Sequence, residues 1–316
     1  MDGRPTVVNI VKIPGLTVLS IDSIHKHYGP VKALQGVSFE VPEGSVYGIL
    51  GPNGSGKTTL LSIILDVLGA DRGSFRWFGQ PGSPGMRKQI GTLLETPNFY
   101  HYLSGRENLR ITRSISGRGD EADIDRVLSV VNLSERRNSR FSTYSLGMKQ
   151  RLAIAGSLLG SPKVLVLDEP SNGLDPVGIA EIRQLIGRLR QQGHTIIMAS
   201  HLLDEVEKVC THVAILKKGE LVAEGRVEEV MSDIDLVEMS SADPGKLREA
   251  LAGFPDIGEC RVEGSLVYAS FAKGKAPMEA LNAFCFSKGI TVSHLVLKKK
   301  KLEERFFELT GNISNA

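Results

Sequence analysis

The sequence predicts an α/β fold built on a parallel sheet with helices on both faces, and three observations predict it. The runs Val46–Leu50, Val164–Leu167 and Thr195–Ala199 are continuously apolar, the pattern of strands covered on both sides. Each run ends in chemistry: glycines from Gly51, the pair Asp168 and Glu169, and Ser200 with His201. Such residues at C-terminal strand ends sit where α/β sheets bind ligands. Finally, the first run leads through its glycines into Lys57–Leu68, where apolar residues recur at helical spacing.

The remaining elements follow in order. Residues 1–15 read as a loose arm. Leu16–Ile21 and Val37–Val41 are short β-rich runs bounded by Gly or Pro. Glu121–Val131 and Met148–Leu159 have helical spacing, so residues 98–160 form an α-rich insertion. After Gly225 the character changes. Leu236–Met239 and Val262–Phe271 resemble strands, the latter broken by a turn at Glu263-Gly264-Ser265, and Gly245–Leu251 and Met278–Phe286 resemble amphipathic helices. That β-α-β-β-α-β order is the ferredoxin-like pattern and defines a small accessory α+β domain at 233–316, after a main domain at 16–232.

Composition narrows the function. A length of 316 residues suits two domains, and 34 glycines imply many tight turns. With 38 basic and 36 acidic residues the formal charge is +2, so no chain-wide basic field draws nucleic acid. No apolar stretch nears the ~18–20 residues of a membrane span, and the expected location is cytoplasmic. Cys210, Cys260 and Cys285 lack metal-site spacing and read as small buried apolar residues. Lys298–Lys301 reads as a solvated strand end.

The glycine loop carries the strongest signal. Gly51, Pro52, Asn53, Gly54, Ser55, Gly56, Lys57 and Thr58 fit G-x-x-x-x-G-K-[ST] between an apolar strand and a helix, with Thr59 following. Glycines let successive N–H groups converge on phosphate oxygens at a helix N-terminus. Lys57 is placed to reach the β and γ phosphates and the Thr58 hydroxyl to ligate Mg²⁺. Asp168, at a strand end, suits Mg²⁺ held through water, and Glu169 suits orienting and deprotonating an attacking water.

With these residues in place, the sequence resembles the ATP-binding subunit of an ATP-binding cassette transporter over roughly residues 16–230. Ser145-Leu146-Gly147-Met148-Lys149-Gln150-Arg151 stands where that family has its signature motif, Ser171-Asn172-Gly173-Leu174-Asp175 stands as its D-loop, and His201 as its switch histidine. Tyr28 matches the aromatic residue that stacks on adenine. The resemblance implies a P-loop NTPase sheet with an antiparallel β subdomain and an α-helical subdomain. It also implies a head-to-tail dimer in which ATP is trapped between the phosphate loop of one subunit and Ser145 and Gly147 of the other. The implied partners are a second ATPase subunit, as a homodimer, and a separately encoded transmembrane permease. The implied site is the cytoplasmic face of the membrane. Phe99-Tyr100-His101-Tyr102-Leu103 would dock the permease, and the segment Leu302–Gly311 resembles a terminal motif of export-type subunits.

Two departures stand out. Glu95 occupies the place of a glutamine that usually contacts Mg²⁺ and the attacking water, and the signature reads Tyr-Ser-Leu-Gly-Met, as in bacterial exporters of antibiotics, lipids and related hydrophobic compounds. A soluble cassette ATPase acting on ribosomes or DNA is the alternative. Against it, the chain carries one phosphate loop, and residues 59–144 leave no room for a long coiled coil. A phosphotransferase of the phosphate-loop superfamily gives no reason for a signature helix.

Overall fold

The computed structural model describes residues 16–94, 98–231, 234–272, 274–298 and the single positions Leu302 and Phe306. The chain divides into two compact units at Arg226/Val227, six residues before the boundary set by composition.

The first unit is organised by a six-stranded sheet in the order Glu220–Arg226, His212–Lys217, Val46–Leu50, Thr195–Ser200, Val164–Asp168, Ile90–Leu93. The five strands from His212–Lys217 to Ile90–Leu93 are parallel, and Glu220–Arg226 joins as an antiparallel edge. Every residue of Val46–Leu50, Val164–Asp168 and Thr195–Ser200 is buried, which explains their lack of alternation. Their C-terminal ends lie side by side, Leu50 opposite Ser200 and Asp168 opposite Ala199. The glycine loop, the acidic pair and His201 therefore emerge on one sheet edge.

A second, antiparallel sheet orders Val31–Pro42, Thr17–Tyr28, Arg72–Trp77 and Gln80–Pro81. Its inner residues Leu19, Ile24, Leu34 and Val37 share one core with Leu60, Ile63 and Ile64 of the helix Lys57–Ile64. That helix stops four residues short of the predicted Leu68, and Trp77 Nε1 donates 2.8 Å to the Ile64 carbonyl. The indole thus satisfies a helix-end carbonyl that would otherwise be orphaned inside the core. Phe39 stacks on Tyr47 and Tyr47 on His212, with ring centroids 5.2 and 6.2 Å apart.

Among the described residues between Leu93 and Val164 the α-helices are Gly105–Ser116, Glu121–Val130 and Leu146–Leu158. Each begins on a side-chain cap, Ser104, Asp120 and Ser145. The first has a complete capping box with Glu107. Arg110 pairs with Glu121 and Arg106 with Asp125, tying the first two helices together at their surface.

The second unit has a four-stranded sheet in the order Cys260–Glu263, Leu266–Ala272, Ile234–Ser241, Val292–Lys298, antiparallel throughout. Two helices, Pro244–Leu251 and Met278–Ser287, fill the gaps in the β-α-β-β-α-β order. They bury Leu247, Leu251, Leu281 and Cys285 against Val237, Met239, Val267 and Phe271. This is the ferredoxin-like arrangement. Cys210 and Cys285 are buried, but Cys260 is half-buried, because it lies on an edge strand. On the sheet, Glu238 accepts from His294 at 2.9 Å and pairs with Lys298 at 3.2 Å. Lys298 is thereby partnered, and Lys299–Lys301 lie outside the described residues.

Candidate active site

The loop that opens the helix Lys57–Ile64 is shaped by two glycines with different reasons. Gly56 is the helix N-cap with φ 105°, and a Cβ there would sit 2.5 Å from the Ala33 carbonyl oxygen. Gly51 is required by contact: a Cβ would lie 2.3 Å from Ser55 Oγ and 2.5 Å from the Leu216 carbonyl. Ser55 Oγ is buried with no hydrogen-bond partner among the described residues. A buried hydroxyl held without a partner in a loop of N–H groups is a site built for an acceptor that arrives from solution.

Lys57 is only 7% exposed. Its Nζ donates to the carbonyls of Gly51 at 2.8 Å and Pro52 at 3.4 Å and lies 3.9 Å from Glu169 Oε1. Burial lowers its affinity for a proton, and the charges of Glu169 and Asp168 partly restore it. Thr58 Oγ1 donates to Asp168 Oδ2 at 3.0 Å. A hydroxyl and a carboxylate converging from helix and strand make an all-oxygen set that suits a small hard cation.

Glu169 has φ 48°, in the left-handed region, a strain of about 1–3 kcal/mol that persists only where the surroundings impose it. Its N–H donates to the Ala199 carbonyl at 3.0 Å. His201 then grips the side chain twice, from Nδ1 at 2.8 Å and the backbone N–H at 3.3 Å, both to Oε2.

Asn53, Gly54, Gly56, Lys57, Thr58 and Thr59 share one cavity of about 350 Å³ with Asp168 and Glu169, and Leu146, Gln150 and Asn172 complete its wall. Tyr28, Ser145, Gly147 and Asp175 do not line it. Tyr28 ends its strand half-exposed, with Lys26 Nζ 5.9 Å from its ring centroid. Asp71 anchors that strand end: Lys26 and His27 hold its carboxyl well below the usual range, at about 2. Ser145 and Asp175 are helix caps, accepting from Met148 N–H at 3.3 Å and Gly178 N–H at 2.9 Å. Glu95 lies outside the described residues. Sequence reasoning missed Leu146 and Gln150 as cavity residues; their spacing of four along one helix is the signal that pairs them.

A glycine loop around a buried lysine, a hydroxyl–carboxylate pair and a second carboxylate oriented by histidine define a nucleoside-triphosphate hydrolase of the P-loop class. The sequence matches the ABC transporter family over residues 34–172. It is 38% identical to the bacitracin transport ATP-binding protein BcrA of Enterococcus faecalis over 67% of this chain and 70% of that one. To the bacitracin transport ATP-binding protein BcrA of Bacillus licheniformis it is 34% identical over 93% of this chain and 98% of that one. Among solved structures, an ATP-binding cassette of an ABC transporter in its ADP conformation superposes with a TM-score of 0.62 at 29% identity, covering 69% of this chain and 95% of that one. The chain belongs to the ATP-binding proteins of ABC transporters, which bind ATP and hydrolyse it to power transport. Among the described residues no helix is long and apolar enough to cross a membrane.

Proposed function

We propose that this chain is the energy-coupling subunit of a bacterial exporter for antibiotic-like hydrophobic compounds, working on a separately encoded permease at the cytoplasmic membrane face. The supporting observation is the assembly of Lys57, Thr58, Asp168 and Glu169 in one cavity, in a chain similar along nearly its whole length to a bacitracin transport protein.

Within the site, amide groups of residues 53–58 and the Lys57 ammonium take the phosphates, where charge-assisted bonds in a partly dry site are strongest. Thr58 and Asp168 would hold Mg²⁺, joined by Glu95; the ion supplies neutralisation of phosphate charge. Glu169 accepts a proton from the water that attacks the γ-phosphorus, and His201 keeps its carboxylate aimed. Tyr28 stacks on adenine. A second copy of the chain completes the site with Ser145 and Gly147, at the N-terminus of Leu146–Leu158, where free N–H groups and the helix dipole favour the γ-phosphate. Asp175 follows at the same interface. ATP binds the closed dimer better than the open one, so binding closes it and hydrolysis releases it.

Phe99–Leu103 forms the permease-facing surface: Tyr100 and Tyr102 are exposed while Phe99 and His101 pack their rings on Phe141 at 5.3 and 5.6 Å. The C-terminal unit stabilises or regulates the dimer. Glu169→Gln in the full chain is expected to retain ATP binding and to accumulate an ATP-dependent dimer by size-exclusion chromatography. Ser145→Arg is expected to remain monomeric with ATP bound. A Ser145→Arg protein that dimerises on ATP overturns the composite site, and mass identification of a co-purifying membrane protein tests the permease.

A further inference from the structure

The hairpin tip that carries Tyr28 outruns its sheet on one side. Thr17–Tyr28 pairs with Arg72–Trp77 only as far as His25 opposite Arg72, whereas its pairing with Val31–Pro42 continues to Tyr28 opposite Val31. A two-stranded end of this kind is marginal by itself. Asp71 continues the missing ladder. Its N–H donates to the His25 carbonyl at 2.9 Å, and its Oδ2 accepts the His27 N–H at 2.7 Å, with His27 Nδ1 3.1 Å from the same oxygen. Its Oδ1 accepts from Lys26 Nζ at 3.1 Å, and that ammonium also donates to the Gly69 carbonyl at 2.7 Å. One carboxylate therefore fixes the backbone immediately before Tyr28 and the ammonium 5.9 Å from the centre of its ring. These bonds hold the carboxyl at about 2, so the acceptor is an anion at any working pH.

The tip is also tied to the phosphate loop. Val31, opposite Tyr28, stands two residues before Ala33, about 7 Å of strand. The Ala33 carbonyl is the atom against which Gly56 packs, 2.5 Å from where a Cβ would stand. The exposed pair Tyr28 and Val31 thus projects at a fixed offset from the loop that takes the phosphates.

We propose that Asp71 is a positioning residue for nucleotide binding: it sets the place of the Tyr28 ring, and with it the affinity of the site for the base of a nucleoside triphosphate. This rests on the reading of Tyr28 as the ring that stacks on adenine. Asp71 itself touches neither base nor phosphate. Without its carboxylate the His27 N–H and the Lys26 ammonium turn to water, and the tip loses its support on the side of Arg72–Trp77. The ring must then be ordered by the ligand as it binds, at a cost to affinity. The phosphate loop keeps its own contacts, so the loss falls on the base and not on the phosphates.

The test measures equilibrium binding to the purified full chain of ATP and of inorganic tripolyphosphate, which carries phosphates without a base. Asp71→Leu keeps side-chain bulk and loses the acceptor, whereas Asp71→Asn keeps an acceptor for the His27 N–H. Asp71 is partly exposed, and tripolyphosphate binding reports an intact loop in every variant. Asp71→Leu is expected to weaken ATP on the order of tenfold and to leave tripolyphosphate within about twofold. Asp71→Asn is expected to lose less than Asp71→Leu, the reverse of what a packing role would give. Joined to Tyr28→Ala, Asp71→Leu is expected to add no further loss, since both act on one ring. An Asp71→Leu protein that binds ATP like the parent, or that loses ATP and tripolyphosphate alike, overturns the proposal. Tyr28→Ala alone separates the two readings. If it binds ATP like the parent, stacking by Tyr28 fails and this inference with it; if it loses ATP selectively while Asp71→Leu does not, only this inference falls.

Discussion

His201 and Glu169 are joined twice, ring nitrogen and backbone amide both to Oε2, so the histidine fixes the carboxylate in place and leaves Oε1 facing Lys57 at 3.9 Å. Removing the ring frees the carboxylate to rotate without removing the base. His201→Ala is expected to lower kcat by about 10²-fold and to leave ATP affinity unchanged. An assay of phosphate release beside nucleotide binding checks it; equal loss of both would assign His201 to binding instead.

Lys57→Ala takes away the only side-chain cation at the floor of the phosphate loop among the residues that line the cavity. Nucleotide binding is expected to fall by at least about 10²-fold, the order of 3 kcal/mol that a partly buried charge-assisted contact contributes. Fluorescent-nucleotide titration reads it, and tight binding by the variant would refute the cradle.

Gly56→Ala puts a methyl 2.5 Å from the Ala33 carbonyl at a φ of 105°. The carbonyl is backbone, and Leu34, whose Cδ2 would lie 2.8 Å away, is fully buried, so the loop must shift. Binding is expected to be lost together with a fall of several degrees in Tm, from strain of about 1–3 kcal/mol. Gly54→Ala, at φ 78° but with open space around the Cβ, is expected to cost less stability. A Gly54→Ala protein melting below Gly56→Ala would contradict this ranking.

Glu224 gives a pH dependence. Burial, and then the charge of Glu40, push its carboxyl above 4.5, and its Oε2 is buried without a hydrogen bond among the described residues. A carboxyl raised in the folded state is most compatible with folding while protonated. Stability is therefore full below about 4.5 and declines as pH rises through the folded value. Glu224→Gln is expected to match the parent near pH 4 and to exceed it in stability near pH 7.5. Urea melts at the two pH values decide it, and an equal gain at both would show the charge to be irrelevant.

The glycine loop of the candidate site could be read directly because its residues are contiguous and follow a fixed spacing. Strand ends and helix start at residues 46–58 are likewise forced by burial and by glycine torsions. What escaped depends on contacts distant in sequence. Thr17–Tyr28 runs to twelve residues rather than six, since Asp22–Tyr28 is polar and its pairing with Val31–Val37 is what makes it a strand. The helix Gly105–Ser116 buries only Gly105, Asn108 and Leu109, too little for an apolar stripe to show, and the Ser104–Glu107 capping box is what announces it. Asp175 followed by Pro176 is a helix start by composition, a structural duty that motif order alone does not reveal. Gln150 is an ordinary helix residue by propensity, and only its depth beside the cavity makes it noticeable.

The ammonium of Lys57 rests on the carbonyls of Gly51 and Pro52. The loop thus keeps its curvature by an internal tether that occupies the seat of an incoming anion. In the proposed site, nucleotide arrival would exchange one acceptor for another on the same amine, with little chain ordering on capture. Recognition by such a preorganised ring is expected to be fast and only weakly dependent on temperature, with the large motions left to the subunits that close around it.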